Sequence, residues 1–129
     1  MRPSDHDDAQ VLDAAAVAQL RLLGEEDSGH FIEELVALFD RDFSHRAGAL
    51  QAALRASDFA RATSLAHTMR GSCVAVGAQR IARRCEEVEE RVGREDYVGA
   101  RVVAAQLPAE YVLAKQALDA EVHRLRGSD

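Results

Sequence analysis

Residues 59–93 read FARATSLAHTMRGSCVAVGAQRIARRCEEVEERVG, and this stretch decides the fold. Its apolar residues recur every three or four positions, which is the spacing of one helix face and not of a strand. Asp58 can cap a helix and Gly77 can end one, so the stretch predicts a helix that runs to about Val76. A second helix is predicted from about Ala78 to Val92.

The sequence on either side of these two helices has the same helical spacing. A first helix is predicted after Asp13, ending near Gly24, and a long helix or two stacked ones from about Ser28 to Ala56. A last helix is predicted from Asp96 to about Arg126, in which Pro108 is expected to produce a kink but not an end. No stretch alternates apolar and polar residues between turn signals, so strands are not expected.

These helices and their short connections predict an all-α fold. Short loops make neighbouring helices antiparallel, and four helices with one apolar stripe each form an up-and-down antiparallel four-helix bundle. A short additional N-terminal helix is expected to cover one end. A chain of 129 residues with 47% hydrophobic residues suits a single domain over 1–129. Its core is expected over about 13–125, and its ends, 1–10 and 127–129, are expected to be flexible.

Two further predictions concern the core. Cys73 and Cys85 are expected to be buried but not level across the hairpin of residues 59–93, so a disulfide between them is not expected. The second pattern predicts an inward stripe along the long helix, made of Phe31, Leu35, Leu38, Phe39, Phe43, Ala47, Leu50 and Leu54.

Composition and charge exclude several classes of function. A net charge of -6 argues against a nucleic-acid binder, which needs a concentrated basic surface. No apolar run is long enough to span a membrane, and the start, MRPSDHDDAQ, has no apolar signal core, so no membrane contact and a cytoplasmic location are expected. The two cysteines form no Cys-x-x-Cys motif and no zinc spacing, so no metal site is expected.

His67 is the strongest candidate for chemistry. With Met69 at the centre of the buried face of its helix, His67 falls about 160° away and faces solvent. Gly71 follows one turn later, and a glycine inside a helix costs about 1 kcal/mol relative to alanine, so its presence requires a reason. It opens space beside the imidazole, and Arg70 places a cation beside the same opening.

Glu89 on the next helix is expected to lie level with His67. In an antiparallel hairpin about Gly77, residues whose numbers sum to about 155 come level. A carboxylate there can accept an N–H bond from one ring nitrogen, which fixes the tautomer and leaves the other nitrogen as a nucleophile. Such a site favours phosphoryl transfer, which depends on positioning and on neutralising phosphoryl charge. The sequence has no Walker loop and no Ser/His/Asp arrangement.

The run Ala66-His67-Thr68-Met69-Arg70-Gly71-Ser72-Cys73, continued by Cys85-Glu86-Glu87-Val88-Glu89, resembles the signature of histidine-containing phosphotransfer (HPt) domains. The resemblance extends over about 13–125. It implies a four-helix bundle in which His67 takes a phosphoryl group from a receiver-domain aspartate and passes it to another receiver. It also implies that Arg70 is the phosphate-side cation and that Gly71 gives access.

The sequence departs from the family pattern at two positions. The cation in this family is most often lysine, whereas this chain has Arg70, which keeps the charge. The residue that bonds the histidine is often glutamine, whereas the matching residue here is Glu89, which orients a ring equally well but repels a phosphoryl group more.

The resemblance also implies the partners of the chain. They are response-regulator receiver domains, with a hybrid histidine kinase as a further candidate, and free-standing domains of this type are commonly monomeric. The chain is then a stoichiometric carrier and not an enzyme. It binds no cofactor, and Mg²⁺ is expected on the partner receiver domain.

Partner docking is expected on the apolar surface near His67. Val74 falls about 140° from the centre of the buried face, where the bundle itself does not need an apolar residue. Leu20 and Leu23 of the first helix are predicted to extend this patch.

Two other functions stay open from the sequence. The first is an interaction module that docks on a histidine kinase or receiver and regulates it without carrying phosphate. The second is a small hydrolase that releases phosphate from a bound histidine. Transfer of label from a phosphorylated receiver distinguishes all three.

Overall fold

The computed structural model describes residues 10–127, which form five α-helices. They are α1 (Ala14–Glu25), α2 (His30–Arg55), α3 (Phe59–Ala75), α4 (Gln79–Gly93) and α5 (Tyr97–Gly127). No strand occurs in this described range, so the predicted all-α fold is confirmed. The long second pattern is one continuous helix, and α5 continues through Pro108.

The predicted helix caps account for the ends of three helices. The side chain of Asp13 accepts a hydrogen bond from the backbone N–H of Ala15 at the start of α1. Asp58 accepts one from Arg61 at the start of α3. Asp96 accepts one from Gly99 at the start of α5, at 2.9 Å. Each bond satisfies a backbone donor that has no partner inside the helix.

Helices α2 to α5 run alternately up and down. The guanidinium of Arg101, near the start of α5, donates to the carbonyl of Leu54 near the end of α2 at 2.9 Å. At the other ends of these two helices, Arg126 pairs with Glu33 at 3.1 Å. Helices α3 and α4 are shorter, so α2 and α5 extend beyond the turn that joins them.

Helix α1 packs beside this extended part. Its entry is fixed to the turn between α3 and α4, because the backbone N–H of Asp13 donates to the carbonyl of Gly77 at 2.7 Å. Gly77 has φ of 76°, and a Cβ there would lie 3.1 Å from the Cβ of Ala16, so a side chain would be strained and crowded. Near the other end of α1, Arg21 forms a two-bond pair with the buried Glu121 of α5.

The predicted inward stripe of α2 is wrong at two positions. Phe31 and Leu38 are each 45% exposed, whereas Ile32 and Val36 are buried. Residues spaced by three and four positions can lie along either of two neighbouring lines on a helix surface. At the start of α2 the prediction chose the line of Phe31 and Leu38 instead of the buried line of Ile32 and Val36. From Phe39 onward the predicted stripe is on the buried side, and its buried residues are Phe39, Phe43, Ala47, Leu50 and Leu54.

Pro108 is accommodated inside α5 by a side chain from α2. Proline has no N–H, so the carbonyl of Ala104, four residues earlier, loses its helical hydrogen bond. The side-chain amide of Gln51 donates to this carbonyl at 3.4 Å. Helix α5 therefore continues past Pro108 with the freed carbonyl satisfied.

The cysteines lie in the core, as predicted, and both are free thiols. The prediction that no disulfide joins them is confirmed. A side-chain hydrogen bond with Cys85, together with burial, raises the pKa of Cys73. Both side chains are fully buried, which makes them unreactive packing residues.

The predicted flexible ends lie almost entirely outside the described residues. Of these ends, only Gln10 and Gly127 are described. The side-chain amide of Gln79 donates a hydrogen bond to the side-chain oxygen of Gln10, and Gly127 is the last residue of α5. None of the described helices combines the length and apolar character that crossing a membrane requires.

Candidate functional site

His67 lies at the middle of α3, on the side that faces away from the core. The inward face of this helix consists of Ala62, Ala66, Met69 and Cys73. The side chain of His67 is 67% exposed. The amphipathic pattern of α3 therefore places an imidazole in solvent on a helix whose opposite face is anchored in the core.

Glu89 of α4 contacts the ring, as the hairpin register predicts. Its Oε1 lies 3.2 Å from Nδ1 of His67, and its side chain is only 18% exposed. A carboxylate only accepts hydrogen bonds, so this contact favours the tautomer in which Nδ1 carries the hydrogen and donates it. In that tautomer, Nε2 is the nitrogen with an available lone pair. The contact is present, and the orienting role of Glu89 stays a prediction.

Arg70 lies on the Nδ1 side of the ring and is shared between two carboxylates. Its Nη1 is 3.5 Å from Glu86 Oε2, and its Nε is 3.6 Å from Glu89 Oε2. Its Nη2 lies 3.5 Å from His67 Nδ1. These distances exceed the roughly 2.7–2.9 Å of strong charge-assisted bonds, so the guanidinium is loosely held. Its buried Nε has no hydrogen-bond partner among the described residues.

Gly71 leaves open space one turn beyond His67. A Cβ built on Gly71 would meet no atom within 4 Å. The packing of the described residues therefore does not require a glycine here, although glycine in a helix interior costs about 1 kcal/mol relative to alanine. The absence of an internal reason leaves access to His67 as the reason for the residue, which stays a prediction.

The predicted docking patch is only partly assembled. Val74 is 60% exposed and lines a surface cavity of about 210 Å³ beside Arg70. Leu20 is only 7% exposed, so its prediction as a docking residue is wrong: it lies on the inward face of α1. Leu23 is 53% exposed. It lies about 15 Å along α1 from Asp13, which precedes α1 and lines the cavity, so Leu23 is not adjacent to Val74.

Sequence reasoning missed the contribution of Asp13 and Glu86 to this region. Asp13 reaches the cavity because its backbone is bonded to Gly77, a contact between residues far apart in the sequence. Glu86 lies three residues before Glu89, and that helical spacing could have shown that it also faces Arg70. Among residues 10–127, no group of three or more His, Cys, Asp or Glu side chains could hold a metal ion.

The sequence model of the Hpt domain matches residues 34–126. This chain belongs to the Hpt domain family. The match covers most of α2 and all of α3 and α4, together with almost all of α5. The family resemblance predicted from the residues around His67 is confirmed.

The Hpt chain is similar to curated proteins of rice, Oryza sativa subsp. japonica. It is 30% identical over 110 residues to pseudo histidine-containing phosphotransfer protein 2, covering 84% of this chain and 73% of the relative. Pseudo histidine-containing phosphotransfer protein 1 is 27% identical over 110 residues, covering 84% of this chain and 59% of the relative.

Two solved structures have the same fold. The crystal structure of histidine-containing phosphotransfer protein B (HptB) from Pseudomonas aeruginosa PAO1 matches with a TM-score of 0.77 and 28% identity. The match covers 90% of this Hpt chain and 97% of that chain. A putative histidine-containing phosphotransfer protein from rice matches with a TM-score of 0.78 over 97% of this chain and 88% of that chain. Its 20% identity shows the fold alone.

Proposed function

We propose that this Hpt protein carries a phosphoryl group on His67 in a phosphorelay. It accepts the group from a receiver-domain aspartate and passes it to another receiver. The observation that carries the proposal is the exposed imidazole whose Nδ1 lies 3.2 Å from Glu89, which leaves Nε2 as the nucleophile. Family membership and the likeness to HptB support it.

In this reaction the lone pair of Nε2 attacks the phosphorus of the receiver's aspartyl phosphate. The N–P bond forms as the O–P bond breaks, and the aspartate leaves as a carboxylate. The hydrogen on Nδ1 stays in place, so the ring gains positive charge, which the carboxylate of Glu89 stabilises. Transfer to the next receiver reverses these steps, so the chain is a stoichiometric carrier without independent turnover.

Arg70 and Gly71 have supporting roles in the proposal. The loosely held guanidinium of Arg70 turns from Glu86 toward the phosphoryl oxygens and neutralises their charge. Gly71 leaves room for the receiver to approach the ring. Any Mg²⁺ is supplied by the receiver. A relay with receivers and a hybrid kinase also requires a cytoplasmic location, which is part of the proposal.

The second candidate is a docking module that regulates a kinase or receiver without carrying phosphate. The names of the rice relatives, which include the word pseudo, favour it. The negative charge near the ring also favours it, because two carboxylates, Glu86 and Glu89, lie beside Arg70. This chain nevertheless has the nucleophile itself, since position 67 is histidine.

Incubation with a ³²P-labelled phosphorylated receiver tests the proposal. Label that is labile in acid and stable in base is expected on the wild-type chain and on the control His45→Gln, a variant of another exposed histidine. It is expected to disappear in His67→Gln. Stable binding of the receiver without label on the chain would support the docking module instead. Rapid release of phosphate that depends on this chain would support a hydrolase.

A further inference from the structure

Arg70 rests on the side of the His67 ring that does not take the phosphoryl group in the proposed transfer. Its Nη2 lies 3.5 Å from Nδ1 of His67, whereas the proposed nucleophile is Nε2 at the other end of the ring. A cation neutralises a phosphoryl group effectively only when it lies close to the phosphoryl oxygens. The guanidinium therefore has to leave its resting place before it can assist the transfer.

Two carboxylates of α4 hold the guanidinium in this place, and they contact different parts of it. Glu89 Oε2 is 3.6 Å from Nε, the nitrogen next to the aliphatic part of the arginine side chain. Glu86 Oε2 is 3.5 Å from Nη1, at the outer end. A movement that swings the outer end about Nε keeps the first contact and breaks the second. Glu86 is therefore the carboxylate that the phosphoryl oxygens have to replace.

The contact between Arg70 and Glu86 is weak enough to be replaced. The Glu86 side chain is 52% exposed and that of Arg70 is 36% exposed. Exposed ion pairs contribute little and are screened by salt. A phosphoryl group carries up to two negative charges and three acceptor oxygens, whereas the Glu86 carboxylate carries one charge. The phosphoryl group is therefore the stronger partner for the guanidinium.

The guanidinium has open space on both sides. Its resting place adjoins the cavity of about 210 Å³, which is lined in part by Arg70, Val74, Ala82 and Glu86. Next to Arg70 on α3, a Cβ built on Gly71 would meet no atom within 4 Å. The buried Nε makes no hydrogen bond with the residues that the structure describes. The outer end of the side chain can therefore move without repacking of the bundle.

We propose that Glu86 is a positioning residue, which opposes phosphorylation of His67 by holding Arg70 away from Nε2. This inference rests on the proposed function. When the phosphoryl group arrives, its oxygens replace the Glu86 carboxylate as the partner of Nη1. When the group leaves for the next receiver, the guanidinium returns to Glu86. Glu86 thereby lowers the stability of the phosphorylated ring and favours onward transfer.

The distribution of label between a ³²P-labelled receiver and the chain tests this role. The ratio of label on His67 to label on the receiver, measured before hydrolysis depletes either, reports the relative stability of the phosphorylated ring. Glu86→Gln keeps the shape of the side chain and removes its charge. We expect it to raise the ratio about threefold, which is the size typical of an exposed ion pair.

Glu90→Gln is the matched control. It removes the same charge from α4, and the Glu90 side chain is 50% exposed, compared with 52% for Glu86. Its contact in the structure is with Arg94 at 3.9 Å and not with Arg70. The ratio in this variant is expected to equal that of the wild type. An unchanged ratio in Glu86→Gln, or an equal rise in both variants, overturns the proposal.

Substitution of Arg70 shows whether Glu86 acts through it. Arg70→Gln alone is expected to lower the ratio, because the phosphoryl oxygens lose their cation. In this background, Glu86→Gln is expected to lose most of its effect, because no guanidinium is left to release. An equal effect with and without Arg70 would mean that Glu86 repels the phosphoryl group directly, which contradicts the positioning role.

Salt dependence provides a readout that a purely structural role would not move. The rise in Glu86→Gln is expected to shrink between about 20 mM and 1 M salt, because the exposed pair is screened. A rise that persists in full at high salt contradicts an electrostatic origin. Failure of this inference is distinct from failure of the proposed function. A wild-type chain that takes no label contradicts both, whereas normal labelling with no response to Glu86→Gln contradicts the inference alone.

Discussion

At the scale of the residue, Glu89 lies beside the ring that gains positive charge in the proposed phosphoryl transfer. Its Oε1 is 3.2 Å from Nδ1, whereas the phosphoryl group would be attached to the far nitrogen, Nε2. Coulomb energy falls with distance, so we expect the attraction between Glu89 and the nearby ring to outweigh the repulsion between Glu89 and the more distant but more highly charged phosphoryl group. The departure from glutamine at this position is therefore expected to favour transfer.

Glu89→Gln tests this balance. The amide can still contact Nδ1 but has no charge, and charge-assisted hydrogen bonds are about twice as strong as neutral ones. We expect phosphorylation of His67 to slow about tenfold, which corresponds to ~1.4 kcal/mol in the barrier. The rate of label transfer from a phosphorylated receiver measures the effect. Glu90→Gln, on an exposed neighbour, is the control, and a faster Glu89→Gln would mean that repulsion of the phosphoryl group dominates.

Substitutions at Gly71 have separate expected effects on the stability of the bundle and on access to His67. Gly71→Ala is expected to stabilise the bundle by about 0.5–1 kcal/mol, because the new Cβ meets no atom within 4 Å and alanine is the better helix former. Gly48→Ala, with equally open space on α2, is the matched control and is expected to be stabilised similarly. Denaturant unfolding measures both variants.

Transfer rates then show whether the open space has a function. Gly71→Leu is expected to stay folded and to slow transfer, with Gly71→Ala affected less and Gly48→Ala unchanged. Equal rates in Gly71→Leu and the wild type would remove access as the reason for this glycine.

At the scale of the element, Pro108 and Gln51 explain how α5 stays continuous. Gln51→Ala removes the donor to the carbonyl of Ala104, which then lacks a partner in a partly buried position. We expect a loss of about 1 kcal/mol in the free energy of unfolding. Gln106→Ala, on the exposed side of α5, is the control. Unfolding of both variants in urea checks the prediction, and equal stability would show that water satisfies the carbonyl equally well.

The α3–α4 hairpin was predictable because a short turn fixes its register. Gly77 sets where the chain reverses, and the level positions of His67 and Glu89 follow from counting residues. The 3.2 Å contact between Nδ1 of His67 and Oε1 of Glu89 confirms this register.

Helix α1 was predictable as a helix but not in its orientation. Its stripe alone does not show which side meets α2 and α5, and Leu20 therefore turned inward against the prediction. The contacts that fix its orientation join residues far apart in the sequence, such as Arg21 with Glu121 and Asp13 with Gly77. Pattern reasoning has no access to pairs of this kind.

At the scale of the whole molecule, two surfaces face opposite ways. The α3–α4 hairpin presents His67, and the α2–α5 side presents the exposed Val98, Val102 and Val112 of α5. The first surface was predictable from the sequence because its residue types carry chemistry. The second was not, because valines at helical spacing are typical of a core, and only their observed exposure shows that they are not part of it.

The central claim is that Nε2 of His67 accepts the phosphoryl group while Nδ1 keeps its hydrogen toward Glu89. Nuclear magnetic resonance of the ¹⁵N-labelled chain, after phosphorylation by a receiver, measures this most directly. The account predicts one phosphoramidate phosphorus signal coupled to Nε2 of His67 and a protonated Nδ1. A phosphorus signal coupled to Nδ1, or a fully phosphorylated receiver that leaves His67 unmodified, would contradict it.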